Sequence, residues 1–511
     1  MTKIRERLMR RRAESERGFI MVTTALLTTM LLLFAGLAVD LGSWDTRAAE
    51  IKRAADAAAL AGVVWMPDFN KAQQVALDTA QKNGFTNGQN NITVSVQQVA
   101  NNNRRLQVTI TDSKARQFFS QLALQGQSIS RTSTAEYVLP VPLGSPKNTF
   151  GTGNLLSGSD TENFWAAVNG YCAGHESGDD RLAYYESYDG STTSGTACNN
   201  GSTTSGAYDP NGYLYAIELP QAASSLKLDV YDAAFYNSGS GSSDRGLGGG
   251  NQTITTTYQI YDRNPTPLDL SNLTLIKTVT LAADASPATY QNTWANFYTW
   301  SNPQAGTYYI RVKTQNGQLN SRGSNGFGLR AYTGSSFATC STIAGSSNYS
   351  ANCPQIHGVD AISIYASIAS TAPTFYLAQV DPIHAGKTMR VSLFDPGEGA
   401  NSIQILDPNG NPVSFTWSTP CNPPTPPTGG CGTTASSIDV SGTGTQPYSP
   451  MVSNSKFNDR YLVLDVPLPT NYAQLYGTKV WWKVKYSVSS SVTDRTTWSV
   501  NIVGDPVHLL T

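Results

Sequence analysis

The chain has 511 residues, of which 14% are charged, against about 25% in an average soluble protein, while Gly (44) and Tyr (25) are abundant. At roughly 100–200 residues per domain this length exceeds one ordinary core and predicts about three folded units, in a composition that suits extracellular β-domains better than a cytosolic enzyme. Net charge is −1, but Lys3, Arg5, Arg7, Arg10, Arg11, Arg12 and Arg17 stand against only Glu6, Glu14 and Glu16 in the first 17 residues, leaving −5 for the remainder; the net positive charge is terminal, and nucleic-acid binding is unsupported.

In chain order, the basic segment 1–18 is followed by Phe19 to Val39, 21 residues without a charge. As a helix these span about 30 Å, the thickness of a hydrocarbon core. Seven basic residues precede the run and only Arg47, Lys52 and Arg53 follow closely, so the positive-inside rule predicts a single pass with the amino terminus in the cytoplasm and the bulk of the chain outside. Gly36-Leu37-Ala38 has the small residues of a signal cleavage site, but the apolar run is longer than the roughly 7–15 residues of a signal peptide and favours a retained anchor. No proline intervenes before Pro67, and Trp44 to Met66 contains eight alanines, so residues 40–66 are expected to continue the anchor as one helix. Ala48, Ile51, Ala55, Ala58 and Gly62 fall at three- and four-residue steps and form a stripe of small side chains on which another helix or domain can approach closely. The stripe leaves two readings open: packing on the chain's own next domain, or assembly with another subunit.

Arg17-Gly18-Phe19, the apolar segment, Leu37-Ala38-Val39-Asp40-Leu41-Gly42 and then Arg53-Ala54-Ala55-Asp56-Ala57-Ala58-Ala59-Leu60-Ala61-Gly62 together resemble the amino-terminal region of TadG-like proteins of the tight-adherence (Flp) pilus assembly system. The form is actinobacterial-like, without a recognisable von Willebrand A domain. The resemblance covers residues 17 to 65, with a looser match to about 140. It implies a protein of the bacterial cytoplasmic membrane whose helix meets other pilus-assembly or envelope proteins. Arg17-Gly18-Phe19 is also similar to a prepilin cleavage site, yet Thr23 stands where such substrates carry a glutamate five residues after the cut. That departure points to an uncleaved pilus-associated protein rather than a polymerising pilin.

Residues 67–139 read as a small α+β module: an amphipathic helix from Phe69 to Asn83 closed by Gly84, strands with Ile92, Val94 and Val96 or Leu106, Val108 and Ile110 on one face, an Asn-rich turn at 101–103, a helix from Ala115 to Leu122 and a third strand from Ser128 to Leu139. Residues 140–154, opening Pro140-Val-Pro142-Leu-Gly144-Ser-Pro146, read as a stiff linker. Beyond it the pattern is alternating strands and Gly/Ser turns, including a turn at Pro408-Asn-Gly-Asn-Pro412. The predicted fold class is mainly β, with two antiparallel, jelly-roll-like β-sandwiches at 155–340 and 341–511. Leu226 to Asp232 aligns with Met389 to Asp395, Tyr258 to Asp262 with Ile403 to Asp407, and Tyr308 to Val312 with Val480 to Val484; the unequal offsets leave duplication and chance both open.

Six cysteines lie in sequential pairs around polar loops: Cys172 and Cys198, Cys340 and Cys353, Cys421 and Cys431. Neighbour pairing would clip those loops in an oxidising space, although six cysteines allow 15 connectivities. Catalytic signatures are missing: His175, His357, His384 and His508 are scattered and form no zinc-protease motif, and no serine sits in a nucleophile elbow. Asp439-Val-Ser441-Gly-Thr443 reads as a turn rather than a von Willebrand-type metal site. His175, Glu176, Asp179 and Asp180 concentrate oxygen ligands that could hold calcium, weighed against a solvated loop. Trp294, Phe297, Tyr298 and Trp300 suit either a carbohydrate or protein contact surface or, in preference, a sandwich core. No cofactor is implied. The expected function is a non-enzymatic, outward-facing component of pilus assembly that contributes to biogenesis, attachment or adhesion, in contact with the bilayer and with a possible surface ligand; a surface-anchored glycan- or matrix-binding module is the alternative.

Overall fold

The structure is a computed structural model that describes residues 2–66, 69–99, 105–120, 126–137, 141–151, 163–184, 205–236, 244–247, 252–265, 270–318, 320–368, 373–419, 433–442, 455–503 and 507–510. The chain divides into two compact units, one formed by Met1–Leu139, Thr266–Leu270 and Asp505–Thr511 and the other by Pro140–Pro265 and Ser271–Gly504.

In the first unit a single helix, α1 (Thr2–Val63), runs through the apolar segment and the Ala-rich segment without a break. The second helix, α2 (Phe69–Lys82), buries Ala72, Ala76 and Ala80 at four-residue steps. It ends as expected at Gly84, whose φ of +89° suits a residue without Cβ, while the Phe85 amide donates back to Ala80 O at 2.9 Å. Strands β1 (Ile92–Gln98), β2 (Arg105–Ala115) and β3 (Gln127–Tyr137) form an antiparallel sheet. Period-two alternation puts Ile92, Val94, Val96, Leu106, Val108, Ile110 and Ala135 in one core with Ile51, Ala55, Ala58 and Ala59 of α1 and the alanines of α2. Thr109 and Thr111 on the opposite face pair with Thr132 and Ser130 at 2.9 Å.

Two sequence expectations fail in this unit. The expected helix 115–122 does not start at Ala115, which closes β2; Arg116–Phe119 are irregular, a 3-10 residue follows at Ser120, and residues 121–125, like the Asn-rich turn 101–103, lie outside the described residues. A terminal strand, Val507–Leu510, pairs antiparallel with β3 and belongs to this sheet, not to the second sandwich, where the sequence alone had left it.

In the second unit the strands are β4 (Thr149–Phe150), β5 (Asn163–Asn169), β6 (Tyr213–Leu219), β7 (Ser225–Tyr231), β8 (Arg245–Gly246), β9 (Thr256–Tyr261), β10 (Leu275–Leu281), β11 (Trp294–Ser301), β12 (Gly306–Thr314) and β13 (Gly323–Thr333). They continue as β14 (Gln355–Val359), β15 (Ala361–Ile368), β16 (Thr374–Gln379), β17 (Thr388–Phe394), β18 (Ser402–Leu406), β19 (Phe415–Ser418), β20 (Thr433–Ala435), β21 (Ile438–Asp439), β22 (Tyr461–Pro467), β23 (Trp481–Ser487) and β24 (Val492–Val503). The larger sheet has the order β11-β7-β13-β5-β15-β24-β17-β22-β19-β20, so β11-β7-β13-β5 is repeated as β22-β17-β24-β15 about the β5–β15 boundary. The other layer repeats too: β10-β9-β12-β6 has its counterpart in β21-β18-β23-β16.

Each half is therefore an eight-stranded antiparallel sandwich of jelly-roll type with the same strand order. The three sequence alignments fall on equivalent strands, β7 with β17, β9 with β18 and β12 with β23, and Asp232 and Asp395 leave their strands with matching φ of 51° and 52°. Additional strands, β8 in the first half and β19 and β20 in the second, help to account for the unequal offsets.

The segment after Pro140 is not a spacer. Val141 and Leu143 are buried, Leu143 bridges Gly358 of β14 and Ala378 of β16, and the Gly144 amide donates to Leu377 O at 3.0 Å. It fills the seam between the halves in one layer, while β5 and β15 pair directly in the other. One hydrophobic cluster spans both halves, with Phe164 of the first against Phe375 (5.4 Å) and Trp498 (5.6 Å) of the second. Phe164→Ala is expected to cost about 3–5 kcal/mol and to lower both halves together; calorimetry should record one shifted transition for this unit, and two separable transitions would contradict a shared core.

Candidate functional site

Helix α1 changes its surroundings along its length. From Phe19 to Leu41 its large side chains point outward, Leu32 at 66% and Phe34 at 68% exposure among them. By length and composition the helix is apolar enough to cross a membrane. Three of the four threonine hydroxyls in this stretch are spent on the helix itself: Thr23 donates to Phe19 O, Thr28 to Thr24 O and Thr29 to Ala25 O, each at 2.8 Å. No hydroxyl among these three then requires water, which hydrocarbon would withhold.

Asp40, the first charged residue after the apolar run, is fully buried and accepts three backbone amides, from Phe118 at 2.7 Å, Phe119 at 3.0 Å and Ser120 at 2.5 Å. One turn below, Gly36 has no room for a side chain, since a Cβ there would lie 2.7 Å from Phe119 Cγ. One turn above, Trp44 Nε1 donates to Arg116 O at 3.0 Å. The 116–120 turn is thus laid along one edge of α1 and fixed at three successive levels.

The small-residue stripe is occupied by the chain itself. Ala48, Ile51, Ala55 and Ala58 are buried, the last three in the core beneath α2 and the sheet, and a Cβ on Gly62 would meet Leu106 Cδ2 at 2.6 Å and Ala72 O at 2.8 Å. Of the two readings left open, the structure gives contacts for packing on the chain's own next domain: the small side chains let α2 and β2 approach the helix backbone. Asp56, at the centre of the Ala-rich motif, accepts Ser133 Oγ of β3 at 2.6 Å and Lys52 Nζ at 2.8 Å, and Arg47 pairs with Asp112 of β2 at 2.9 Å. Asp40 and Asp56 are the positions that sequence reasoning quoted without assigning a task. The available signal was a carboxylate standing in an otherwise apolar or small-residue run.

In the second unit the calcium candidates make an internal network instead of a cation site. Asp179 accepts the amides of Asn169, Arg181 and Leu182 and the Tyr213 hydroxyl at 2.6–3.0 Å. His175 sits between Asp180 (3.0 Å) and Asp459 (2.9 Å), and Tyr461 donates to Asp180. Glu176 lines a separate polar groove with Arg245, Glu398 and Arg495. Among the described residues no group of three or more His, Cys, Asp or Glu is arranged to hold a metal ion. Burial alone would lower the His175 pKa, but its hydrogen bonds to Asp180 and Asp459 and their charges raise it to about 9. Asp395 and Asp494 form a second buried acidic cluster with Glu398 that the sequence did not mark; burial and then the Glu398 charge push Asp494 up to about 7 and Asp395 well above the usual range.

The aromatic candidates serve the sandwich. Phe297 and Trp300 are buried, Tyr298 packs on the same core, and Trp294 lies against Tyr231 with the Arg330 guanidinium 4.3 Å over its ring. Asp439 heads a turn, accepting the Ser441 amide at 2.8 Å. His357 faces Glu218 at 3.2 Å, remote in role from the other histidines. Cys340 and Cys353 are joined as a disulfide, and Cys172 is disulfide-bonded; Cys198, Cys421 and Cys431 lie outside the described residues.

Two outcomes follow. In Asp40→Asn the three amides of the 116–120 turn lose a charged acceptor, and hydrogen exchange at Phe118–Ser120 is expected to accelerate at least about tenfold while that of α2 is unchanged. For His175, the folded pKa lies above the unfolded value of about 6.5, so its contribution is complete below about pH 6.5 and is lost as pH rises through about 9. Unfolding free energies of the second unit from urea titrations at pH 6.5 and 9.5 should differ by on the order of 3 kcal/mol more in the parent than in His175→Gln; the Asp494 contribution is lost in the lower window, between about pH 4 and 7.

No curated protein matches the chain. Among solved structures, the N-terminal CBM22-1-CBM22-2 tandem domain from Paenibacillus barcinonensis Xyn10C aligns at 9% identity over 82% of this chain and 92% of its own, with a TM-score of 0.14. Tripeptidyl peptidase 2 aligns at 10% identity over 86% of this chain and 38% of its own, with a TM-score of 0.19. Scores this low carry no argument about fold or function. The family model for Flp pilus-assembly TadE/G-like proteins matches residues 18–74, the stretch that contains the apolar run, Asp40, the small-residue stripe, Asp56 and the first part of α2. Residues 18–74 of this chain are therefore similar to the TadE/G-like family of Flp pilus assembly.

Proposed function

We propose that this protein is a membrane-anchored, non-enzymatic component of Flp (tight-adherence) pilus assembly, with its amino terminus in the cytoplasm and both folded units outside. The observation that carries this reading is the division of α1 within the matched segment: an apolar sleeve long enough for a bilayer, followed directly by a half whose small residues are buried under a folded module. The asymmetry of basic residues about the apolar run supports the orientation. The duplicated sandwiches supply the external surface for attachment or assembly. Contacts with other pilus-assembly or envelope proteins fall on the outward-facing apolar side of α1 or on the folded units, since the small-residue stripe is taken up internally.

The glycan-binding alternative draws less support, because the aromatic side chains that suggested a sugar platform are engaged in or against the sandwich core. Deleting the gene is expected to abolish surface pili or adherence, restored by the full chain but not by a chain lacking residues 19–39. Normal piliation in the deletion strain, or the intact chain in the soluble fraction, would overturn the assignment.

A further inference from the structure

Apart from α1, the most exposed large hydrophobic side chains among the described residues are Phe118 (53%) and Phe119 (54%), adjacent on one turn. Their position is set by α1. Phe119 lies on Gly36, three residues before the end of the apolar run, hence about 5 Å below its last residue along the helix axis. The turn cannot ride higher without losing three amide bonds to Asp40, or lower without losing the Trp44 bond to Arg116 O. Amides at that depth would be costly in a medium without water, and a buried carboxylate satisfies all three. The neighbouring groove joins Phe118 to Trp44, Arg47, Lys114 and Arg116, and Lys114 and Arg116 are exposed. Apolar rings followed by exposed bases is the order of chemistries met on passing from acyl chains to phosphates.

We infer that Phe118 and Phe119 are a second membrane contact, a short foot inserted at the boundary of hydrocarbon and headgroups beside the anchor, with Lys114 and Arg116 at the level of lipid phosphates. The occupant of this apolar surface is the phospholipid bilayer that α1 itself crosses, with which the surface is continuous through the Gly36–Phe119 contact. The inference rests on the anchor reading. Its consequence is mechanical: the first unit is held at the membrane surface at two points and does not swivel freely on a single helix.

Photo-crosslinking in native membranes tests it, using the full chain with benzoylphenylalanine at Phe119, at Phe118, at Leu32 within the apolar run, or at Leu475, an exposed residue of the second unit. Phospholipid adducts from Leu32 and from either phenylalanine position, with at least tenfold less from Leu475, are expected. Lipid adducts at Leu32 with only protein adducts at both phenylalanine positions would overturn the foot, leave the anchor standing and assign the surface to another chain. Equal lipid adducts at Leu475 would overturn the foot as well, and their absence at Leu32 would overturn the anchor with it. The use of two adjacent positions guards against one replacement disturbing the contact with Gly36.

Discussion

A carboxylate at the end of an apolar helix is an expensive place for a charge unless donors converge on it, and Asp40 meets three backbone amides from a turn far along the chain. That interaction locates the transition in α1 between a helix solvated along its whole circumference and a helix buried on one side. The same carboxylate gathers the amides of Phe118, Phe119 and Ser120 where the chain leaves β2. The rest of the first unit is registered from this point, with Arg47–Asp112 and Asp56–Ser133 repeating the tie further along.

The motif shared with the TadE/G-like segment acquires a physical meaning from these contacts. The alanines after the apolar run are buried where α2 and the sheet pack on α1, and at Gly62 even a Cβ would collide with Leu106 and the Ala72 carbonyl. The aspartates are hydrogen-bond acceptors that fix rotation and height of the helix against the sheet. Small-residue spacing of this kind serves helix association between chains as readily as packing within one, so the pattern itself is neutral between the two.

The second unit obeys a different economy. Two sandwiches of identical strand order share one core through Phe164, Phe375 and Trp498, and the segment after Pro140 closes the seam in one layer while β5 and β15 close it in the other. Burying titratable groups beside that junction, His175 between two aspartates and Asp395 near Asp494, makes the unit lose stability as pH rises, because each of His175, Asp395 and Asp494 holds its proton more firmly when folded.

Local pattern alone determined the long apolar helix, the helix closed at Gly84 and the alternating strands, because each depends on periodicity, length or backbone freedom within a short window; the likeness of Leu226–Asp232 to Met389–Asp395 was visible in the sequence, but only the repeated strand order decided between duplication and chance. What the small stripe packs against, where Asp40 and Asp56 find their donors, and which sheet receives Val507–Leu510 were decided only by tertiary structure. In each case the partner lies tens to hundreds of residues away, and one sequence carries no record of which distant donor or strand edge a side chain will meet. The calcium candidates show the same limit. His175, Asp179 and Asp180 looked like ligands because their donors, Tyr213, Asp459 and Tyr461 among them, are distant in sequence and adjacent only in the folded sandwich.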